Sequence, residues 1–411
     1  MRAGRLTKRQ TMALSALFGV GVLLRLGMAF KTSGQKFDVA SYEIVWRYLQ
    51  TNPLHLYSIV NVQLRLHGVN YSLYRWPYLP GFLPWIAAAH YLHSLIGGAS
   101  IGFIKLPSCL ADAGLAWLVE DFLGRRGRSG WTRVTAAALI MAGPSFFLVS
   151  GYAAQFDAVA ILPAAAGVCI WERAENPQRA LLAGALIGLG AELKIIPILF
   201  VLALMPTACG WGERAKVAVA AVIVPLAFTL PYLVTDPRGI LHLSHYAGVP
   251  GLGGLGMFVQ PHLAGGQLRG SSLSLSVASL ELAHYGGVLT AAAVAAVTLF
   301  LWRKQIPATL AAAILMLTIY VAGSGFAFQY LVWGLPFLLL AGELVPVAVI
   351  QAIALTPSIL FYATISFPHV TALYVSLMTL LYATFAWLLY GYVAQACNHV
   401  RPLSLLYKGE Q

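Results

Sequence analysis

Charged residues are scarce in this 411-residue sequence. Asp, Glu, Lys and Arg together make up 10% of it, whereas hydrophobic residues make up 59%. In an ordinary soluble domain about a quarter of the residues carry charge, so the composition excludes that class. Apolar runs of about 17 to 25 residues, the length that crosses a bilayer, recur along the whole chain. We therefore predict a polytopic membrane protein with an all-α fold.

Cysteine is also scarce and has no pattern. The four residues Cys109, Cys169, Cys209 and Cys397 form no CxxC pair and have no histidine at a metal-ligand spacing. Disulfide frameworks and zinc sites show regular spacings of this kind. The sequence therefore predicts neither, and we expect no redox chemistry.

Acidic residues are few, with 14 Asp and Glu against 26 Lys and Arg, which gives a net charge of +12. Most of the basic excess lies in short loops between apolar runs. Such loops face the cytoplasm in membrane proteins, so the charge indicates topology rather than nucleic-acid binding. We predict a multi-pass protein of the plasma (inner) membrane, with both termini cytoplasmic and an uncleaved signal anchor at the N-terminus.

About twelve transmembrane helices are predicted from the apolar runs. They lie near residues 11–30, 105–122, 132–149, 157–171, 180–192, 195–207, 216–234, 284–302, 307–322, 330–343, 345–363 and 371–393. The run 81–96 is short and is interrupted by Pro84, His90 and His93. We expect it to enter the outer leaflet without crossing, because crossing would place every later basic loop outside.

The fifth and sixth predicted spans are too short to cross the membrane. Thirteen helical residues extend about 20 Å, so these two segments are expected to form a half-height hairpin. Its turn carries Glu192 and Lys194. Ionisable groups at that depth line a polar cavity or pair with each other. Lys194 is therefore either a ligand for a phosphate group or the partner of Glu192.

Two long external segments divide the chain. The first, at residues 31–80, contains an amphipathic pattern from Asp38 to Leu49, which predicts a helix on the membrane surface. The second, at about 235–276, is rich in glycine and is typical of a mobile gating loop. We accordingly divide the chain into a catalytic module, residues 1–235 including the loop 31–80, and a substrate-shaping module, residues 236–411.

Few external side chains are suited to acid or base chemistry. Asp38 stands where the first span meets the surface helix, and it is either a catalytic carboxylate or the N-cap of that helix. Asp157, with Gln155 before it, allows the same two interpretations. Gln329 and Tyr330 lie in an aromatic belt that has no need of an amide, so they are candidates for binding a polar headgroup.

Several motifs in a fixed order resemble the GT-C superfamily, the integral-membrane glycosyltransferases that use polyprenyl-phosphate sugars. They are Asp38 with Tyr42 beyond the first span, NPLHLYS, YRWPYLPGFLPW, QFD, ELKIIP at the hairpin turn, and FQYLVWGLP. The resemblance covers roughly residues 10–235 and, later in the chain, only FQYLVW. It is closest to the bacterial branch that includes polyprenol-phosphate-mannose-dependent mannosyltransferases.

The resemblance implies that Asp38 is the catalytic acidic residue of the first external loop, with a cavity between the juxtamembrane helices and the spans. We assign substrate binding to Tyr42, Arg75, Lys105, Gln155, Asp157, Lys194, His245, Arg269, Gln329 and Tyr330. Two features depart from the family. Val39 follows Asp38, so a metal-binding acidic pair is missing, and FAFQYLVW replaces the histidine-rich stretch of some relatives.

The expected reaction is transfer of one sugar, such as the hexose mannose, from a polyprenyl-phosphate carrier to a lipid-linked or glycan acceptor outside the cytoplasm. Such a transfer needs a base for the acceptor and cations for the departing phosphate. A single carboxylate predicts inversion at the anomeric carbon. We expect no metal or other cofactor, and membrane lipids rather than nucleic acid as partners. The alternatives are an O-antigen ligase or polymerase type enzyme that uses polyprenyl diphosphates, and a lipid or solute transporter.

Overall fold

The structure is a computed structural model. It describes residues 6–66, 69–74, 76–173, 176, 178–245, 253–261, 276–363 and 371–398. Its N-terminal half contains α1 (Lys8–Lys31), α2 (Lys36–Thr51), α3 (Leu56–Val60), β1 (Asn61–Leu66), β2 (Val69–Tyr74), α4 (Leu83–Ile96), α5 (Ser100–Arg125), α6 (Gly130–Met141), α7 (Pro144–Phe146), a π-helical segment (Phe147–Ala153), α8 (Asp157–Arg173) and α9 (Arg179–Leu193).

The C-terminal half continues the bundle and is helical wherever it forms regular structure in the described ranges. It contains α10 (Phe200–Leu204), α11 (Trp211–Thr235), α12 (Pro237–Leu241), α13 (Leu255–Val259), α14 (Val277–Lys304), α15 (Ala308–Ala322), α16 (Tyr330–Ala341), α17 (Leu344–Ala363) and α18 (Thr371–Asn398).

Helices occupy all twelve segments that the apolar runs predict. Among the described residues, seven helices are long and apolar enough to cross a membrane, and three further apolar helices are shorter. The all-α polytopic fold is confirmed, whereas the number of spans stays a prediction. The helix α4 has 14 residues and is not one of the seven. It rises only about 21 Å, which agrees with a segment that does not cross.

The interior of the bundle is formed by helices that are apolar all round. In α15 and α16 nearly every side chain is buried, as expected for helices surrounded by protein. Helices at the periphery instead expose apolar side chains, such as Leu23 of α1 and Val288 of α14. This exposed apolar surface is suited to contact with lipid tails.

The first external segment forms the predicted amphipathic helix together with a β-hairpin that the sequence analysis missed. In α2 the apolar face buries Tyr42 and Val45. The two strands pair antiparallel, with Asn61 opposite Tyr74. Their apolar residues alternate with polar ones in the sequence, a period of two that is typical of strands.

A buried arginine stabilises the break between α6 and the π-helical segment. A helix end leaves backbone carbonyls without partners, and Arg25 donates to those of Ile140 (2.9 Å) and Met141 (2.6 Å). Its Nε also donates to Asp112 Oδ2 at 2.8 Å, and Ser150 of the π-helical segment donates to Asp112 Oδ1 at 3.1 Å. These contacts fix the segment that leads directly to Gln155 and Asp157.

Candidate functional site

The centre of the candidate site is a buried ion pair between Lys194 and Asp157. The ammonium of Lys194 lies 2.9 Å from both carboxylate oxygens of Asp157 and 3.1 Å from Oε1 of Gln155. Lys194 follows α9 at the hairpin turn, and Asp157 begins α8. The turn after α9 therefore carries a lysine to the N-terminal end of α8, where the two charges compensate each other.

Lys194 does not pair with Glu192, so that alternative is wrong. In the described part of the chain its ion pair is with Asp157. Glu192 is buried two residues earlier and packs against Gly81, where an added Cβ would lie 2.6 Å from Glu192 Cγ. Gly81 lies between the β-hairpin and α4, and the close approach of α9 to this segment requires glycine there.

The turn between the π-helical segment and α8 positions Gln155 and anchors α2. Ala154 adopts a left-handed conformation with φ of 68°, which is uncommon for a residue with a side chain. Its carbonyl accepts a hydrogen bond from the Tyr42 hydroxyl at 2.6 Å, and the carbonyl of Ala153 accepts one from the Gln35 amide at 3.3 Å. Tyr42 therefore holds the surface helix that bears Asp38 against this turn.

Asp38 lies in the first turn of α2 but does not cap it. Gln35 is the N-cap, and its side-chain oxygen accepts the backbone N–H of Asp38 at 2.9 Å. The capping interpretation is therefore wrong, and the carboxylate of Asp38 is available for another role. The carboxylate of Asp157, in contrast, is engaged in the ion pair with Lys194.

The environment of Asp38 raises the pKa of its carboxyl group to about 6. Burial is the main cause, and hydrogen bonding to Gln155 and the charge of Lys194 oppose it, while the nearby Asp157 adds to the rise. Because Oε1 of Gln155 accepts from Lys194, its amide N–H groups remain to donate toward Asp38. Gln155 thereby connects the ion pair to the carboxylate.

A second wall of the site comes from α16 and α17. The indole N–H of Trp333 donates to Asp157 Oδ1, and the ring of Tyr330 stacks on Trp333 with centroids 4.0 Å apart. The hydroxyl of Tyr362 donates to Gln329 Oε1 at 3.0 Å. Trp333 and Tyr362 were not predicted. Trp333 follows Gln329 by four residues and so lies on the same helix face, a signal that could have identified it.

Aromatic rings cover the ion pair on the side of the first external segment. Phe156 stacks on Phe82 with centroids 4.2 Å apart and meets Tyr78 edge-on at 4.8 Å. The rings of Tyr78 and Phe156 each lie 4.7 Å from the ammonium of Lys194. Lys194 is only 3% exposed, and cation–π contacts contribute more to a charge that is desolvated than to one at an exposed position.

The structure places Lys105 outside this cluster. Its ammonium lies at the C-terminal end of α1, 2.9 Å from both the carbonyl oxygen and the hydroxyl of Thr32. A lysine at the last carbonyls of a helix stabilises the helix end, so these contacts account for its burial. Arg75, Arg269 and the side chain of His245 lie outside the described residues, and their assigned roles stay predictions.

Comparisons with known proteins give a distant structural likeness. No family model matches the chain, and no curated protein matches it. Among solved structures it is similar to ArnT from Cupriavidus metallidurans bound to undecaprenyl phosphate, with 16% identity over 92% of this chain and 77% of that one, and a TM-score of 0.49. The structure of the same protein in the apo state gives 15% identity over 94% of this chain and 77% of that one, and a TM-score of 0.48. Likeness at this level transfers no residue roles to this chain.

Proposed function

We propose that this protein is an inverting glycosyltransferase of the GT-C type. It takes a single sugar, a hexose such as mannose, from a polyprenyl-phosphate carrier and attaches it to a lipid-linked or glycan acceptor. The observation that carries the proposal is the connected set Asp38, Gln155, Lys194 and Asp157, which joins a carboxylate of raised pKa to a buried lysine.

Asp38 acts as the general base in this proposal. It accepts the proton of the acceptor hydroxyl as the oxygen attacks the anomeric carbon, and the bond from that carbon to the phosphate oxygen breaks. A base works best when its pKa lies near the operating pH. Burial raises the pKa of Asp38 to about 6, so the carboxylate is ionised at neutral pH and is more basic than an exposed aspartate.

Asp157 is poorly suited to act as a second carboxylate. Both of its oxygens accept from Lys194 at 2.9 Å, and Oδ1 also accepts from Trp333. A retaining enzyme needs a free nucleophilic carboxylate about 5 Å from the first. With Asp157 occupied in this way, single displacement by Asp38 is the favoured route.

Lys194 supplies positive charge for the departing phosphate. Its three close acceptors are the two oxygens of Asp157 and Oε1 of Gln155. We propose that a phosphate oxygen of the donor replaces Gln155 Oε1, because an anion is a stronger partner for an ammonium than a neutral amide.

The remaining residues have supporting roles in this proposal. Further hydrogen-bond donors to the phosphate come from Arg75, Arg269 and His245. Tyr42 holds α2 in place, and the acceptor or the sugar is bound by Gln329 and Tyr330. No metal is proposed.

The site is proposed to open on the extracytoplasmic face of the inner membrane. The basic residues in or beside the short loops after α5, α8, α10 and α14 lie at the opposite end of the bundle from Asp38. Because such loops face the cytoplasm, Asp38 faces outward and both termini lie inside.

A transfer assay in sealed right-side-out vesicles tests both the reaction and its sidedness. Radiolabelled polyprenyl-monophosphate hexose is added outside, and we expect labelled membrane lipid or glycan to appear. The matched diphosphate-linked donor and inverted vesicles are expected to give none. Transfer only from the diphosphate donor would point to the ligase class, and absence of transfer from either donor would contradict an enzyme of this kind.

A further inference from the structure

The side-chain amide of Gln329 does not stabilise the helix that this residue precedes. Gln329 is the N-cap of α16, but its side chain makes no capping hydrogen bond. Its Oε1 instead accepts the hydroxyl of Tyr362, which belongs to α17, at 3.0 Å. An N-cap side chain ordinarily bonds the amides of its own first turn. The side chain of Gln329 is therefore held by a different helix.

Tyr362 determines which way the amide of Gln329 faces. The side chain of Tyr362 is 6% exposed, and its hydroxyl is bonded to Gln329. A buried tyrosine hydroxyl usually has such a partner. Because this hydroxyl donates its proton, it binds the carbonyl oxygen of the amide rather than the NH2 group. The NH2 group of Gln329 is thereby turned away from Tyr362.

This contact lies at the wall of the candidate site. The charges of Asp157 and Asp38 both act on the hydroxyl of Tyr362. Trp333 follows Gln329 by one turn on the same face of α16, and its indole N–H donates to Asp157 Oδ1. Gln329 therefore stands beside the carboxylate that we propose as the base.

Gln155 shows the same arrangement on another wall of the site. The ammonium of Lys194 lies 3.1 Å from Oε1 of Gln155, and hydrogen bonding from Gln155 reaches Asp38. Each of the two glutamines thus has its carbonyl oxygen engaged by a protein donor. The NH2 group that each one presents donates hydrogen bonds and accepts none. A ligand atom that meets Gln329 must therefore be a hydrogen-bond acceptor.

The surroundings of Gln329 are suited to the sugar rather than to the phosphate. The ring of Tyr330 stacks on that of Trp333 with centroids 4.0 Å apart, and Tyr362 adds a third ring. Aromatic rings with few polar groups are typical of a pocket that orients a small molecule. A phosphate is bound more strongly by cations than by a neutral amide. The Gln329 amide is accordingly matched to a hydroxyl oxygen of the sugar.

We propose that Tyr362 is a positioning residue that contributes to sugar specificity. By holding Oε1 of Gln329, it directs the NH2 group to donate to one hydroxyl oxygen of the transferred sugar. This inference rests on the proposed transferase function and adds the part of the donor that Gln329 recognises. Without the hydroxyl of Tyr362, the amide is free to rotate and to present its carbonyl oxygen instead.

The test measures kcat/KM with polyprenyl-monophosphate hexose and with a series of donors that each lack one sugar hydroxyl. We expect the wild type to discriminate against the donor whose missing oxygen accepts from Gln329. Tyr362→Phe should lower kcat/KM for the complete donor about threefold to tenfold, the effect of one neutral hydrogen bond, and should weaken this discrimination. In Gln329→Ala the discrimination should vanish, and adding Tyr362→Phe should change nothing further.

The matched control is Tyr382→Phe. Tyr382 is 7% exposed, and its hydroxyl makes no hydrogen bond to the site in the described structure, so this variant should keep the activity and discrimination of the wild type. An equal loss for every donor in Tyr362→Phe would show a purely structural role and overturn the inference. Additive effects of Tyr362→Phe and Gln329→Ala would also overturn it. If the wild type transfers no hexose from the complete donor, the proposed function itself is wrong and the inference falls with it.

Discussion

The variant Asp38→Asn is expected to turn over at least about 100-fold more slowly than the wild type, the usual contribution of a positioned base. Asparagine has nearly the same shape, and the side chain of Asp38 does not cap α2, so folding and donor binding should persist. The measurement is turnover with saturating polyprenyl-monophosphate hexose, with donor binding measured separately. Wild-type turnover by the folded variant would remove Asp38 from the mechanism.

The pH dependence of the wild type provides the control for that variant. A base is active when ionised, and the pKa of Asp38 is raised to about 6. The kcat/KM of the wild type, which reports the free enzyme, should therefore be constant above this value and fall as the pH decreases through 6. The residual activity of Asp38→Asn should lack this decrease. If both proteins lose activity at the same pH, another group is responsible.

The second large effect is expected at the Lys194–Asp157 pair. Lys194→Met leaves the carboxylate of Asp157 buried without its cation, and breaking a buried pair costs about 3–5 kcal/mol. The double variant Lys194→Met/Asp157→Leu removes both charges and should recover most of that stability. Its donor KM should nevertheless stay raised by about tenfold or more, the effect of losing a charge-assisted hydrogen bond of about 1.5–3 kcal/mol. Thermal unfolding and donor titration measure the two quantities.

A matched control for this series is the pair Arg133 and Glu120, which is buried at the opposite end of the bundle. Arg133→Met and Arg133→Met/Glu120→Leu should follow the same pattern in stability with no change in donor KM. If Lys194→Met/Asp157→Leu also shows the wild-type KM and turnover, the Lys194–Asp157 pair serves structure alone and Lys194 does not contact the donor.

The helices could be predicted because the information that defines them is local. Apolar runs place the twelve helical segments, and the spacing of Tyr42 and Val45 predicts α2. The short hairpin likewise predicts Lys194 at membrane depth, because its two arms are too short to cross. Asp38 could be selected as a candidate for a different reason, which is that few carboxylates lie in the predicted external segments.

The partners of these residues could not be predicted, because they depend on contacts between distant parts of the chain. Lys194 pairs with a residue 37 positions away rather than with its neighbour Glu192, and Trp333 reaches Asp157 across 176 positions. Lys105 contacts the end of α1, 73 positions before it. Sequence spacing gives the residue types of a site, whereas the packing of helices decides which of them meet.

The anomeric configuration of the transferred sugar tests the single-carboxylate mechanism most directly. The wild-type protein is given a β-linked polyprenyl-monophosphate hexose, and the configuration of the product is determined by NMR. With Asp38 as the base and Asp157 bound to Lys194 and Trp333, we predict an α-linked product. A β-linked product would require a second carboxylate as nucleophile and would contradict the account.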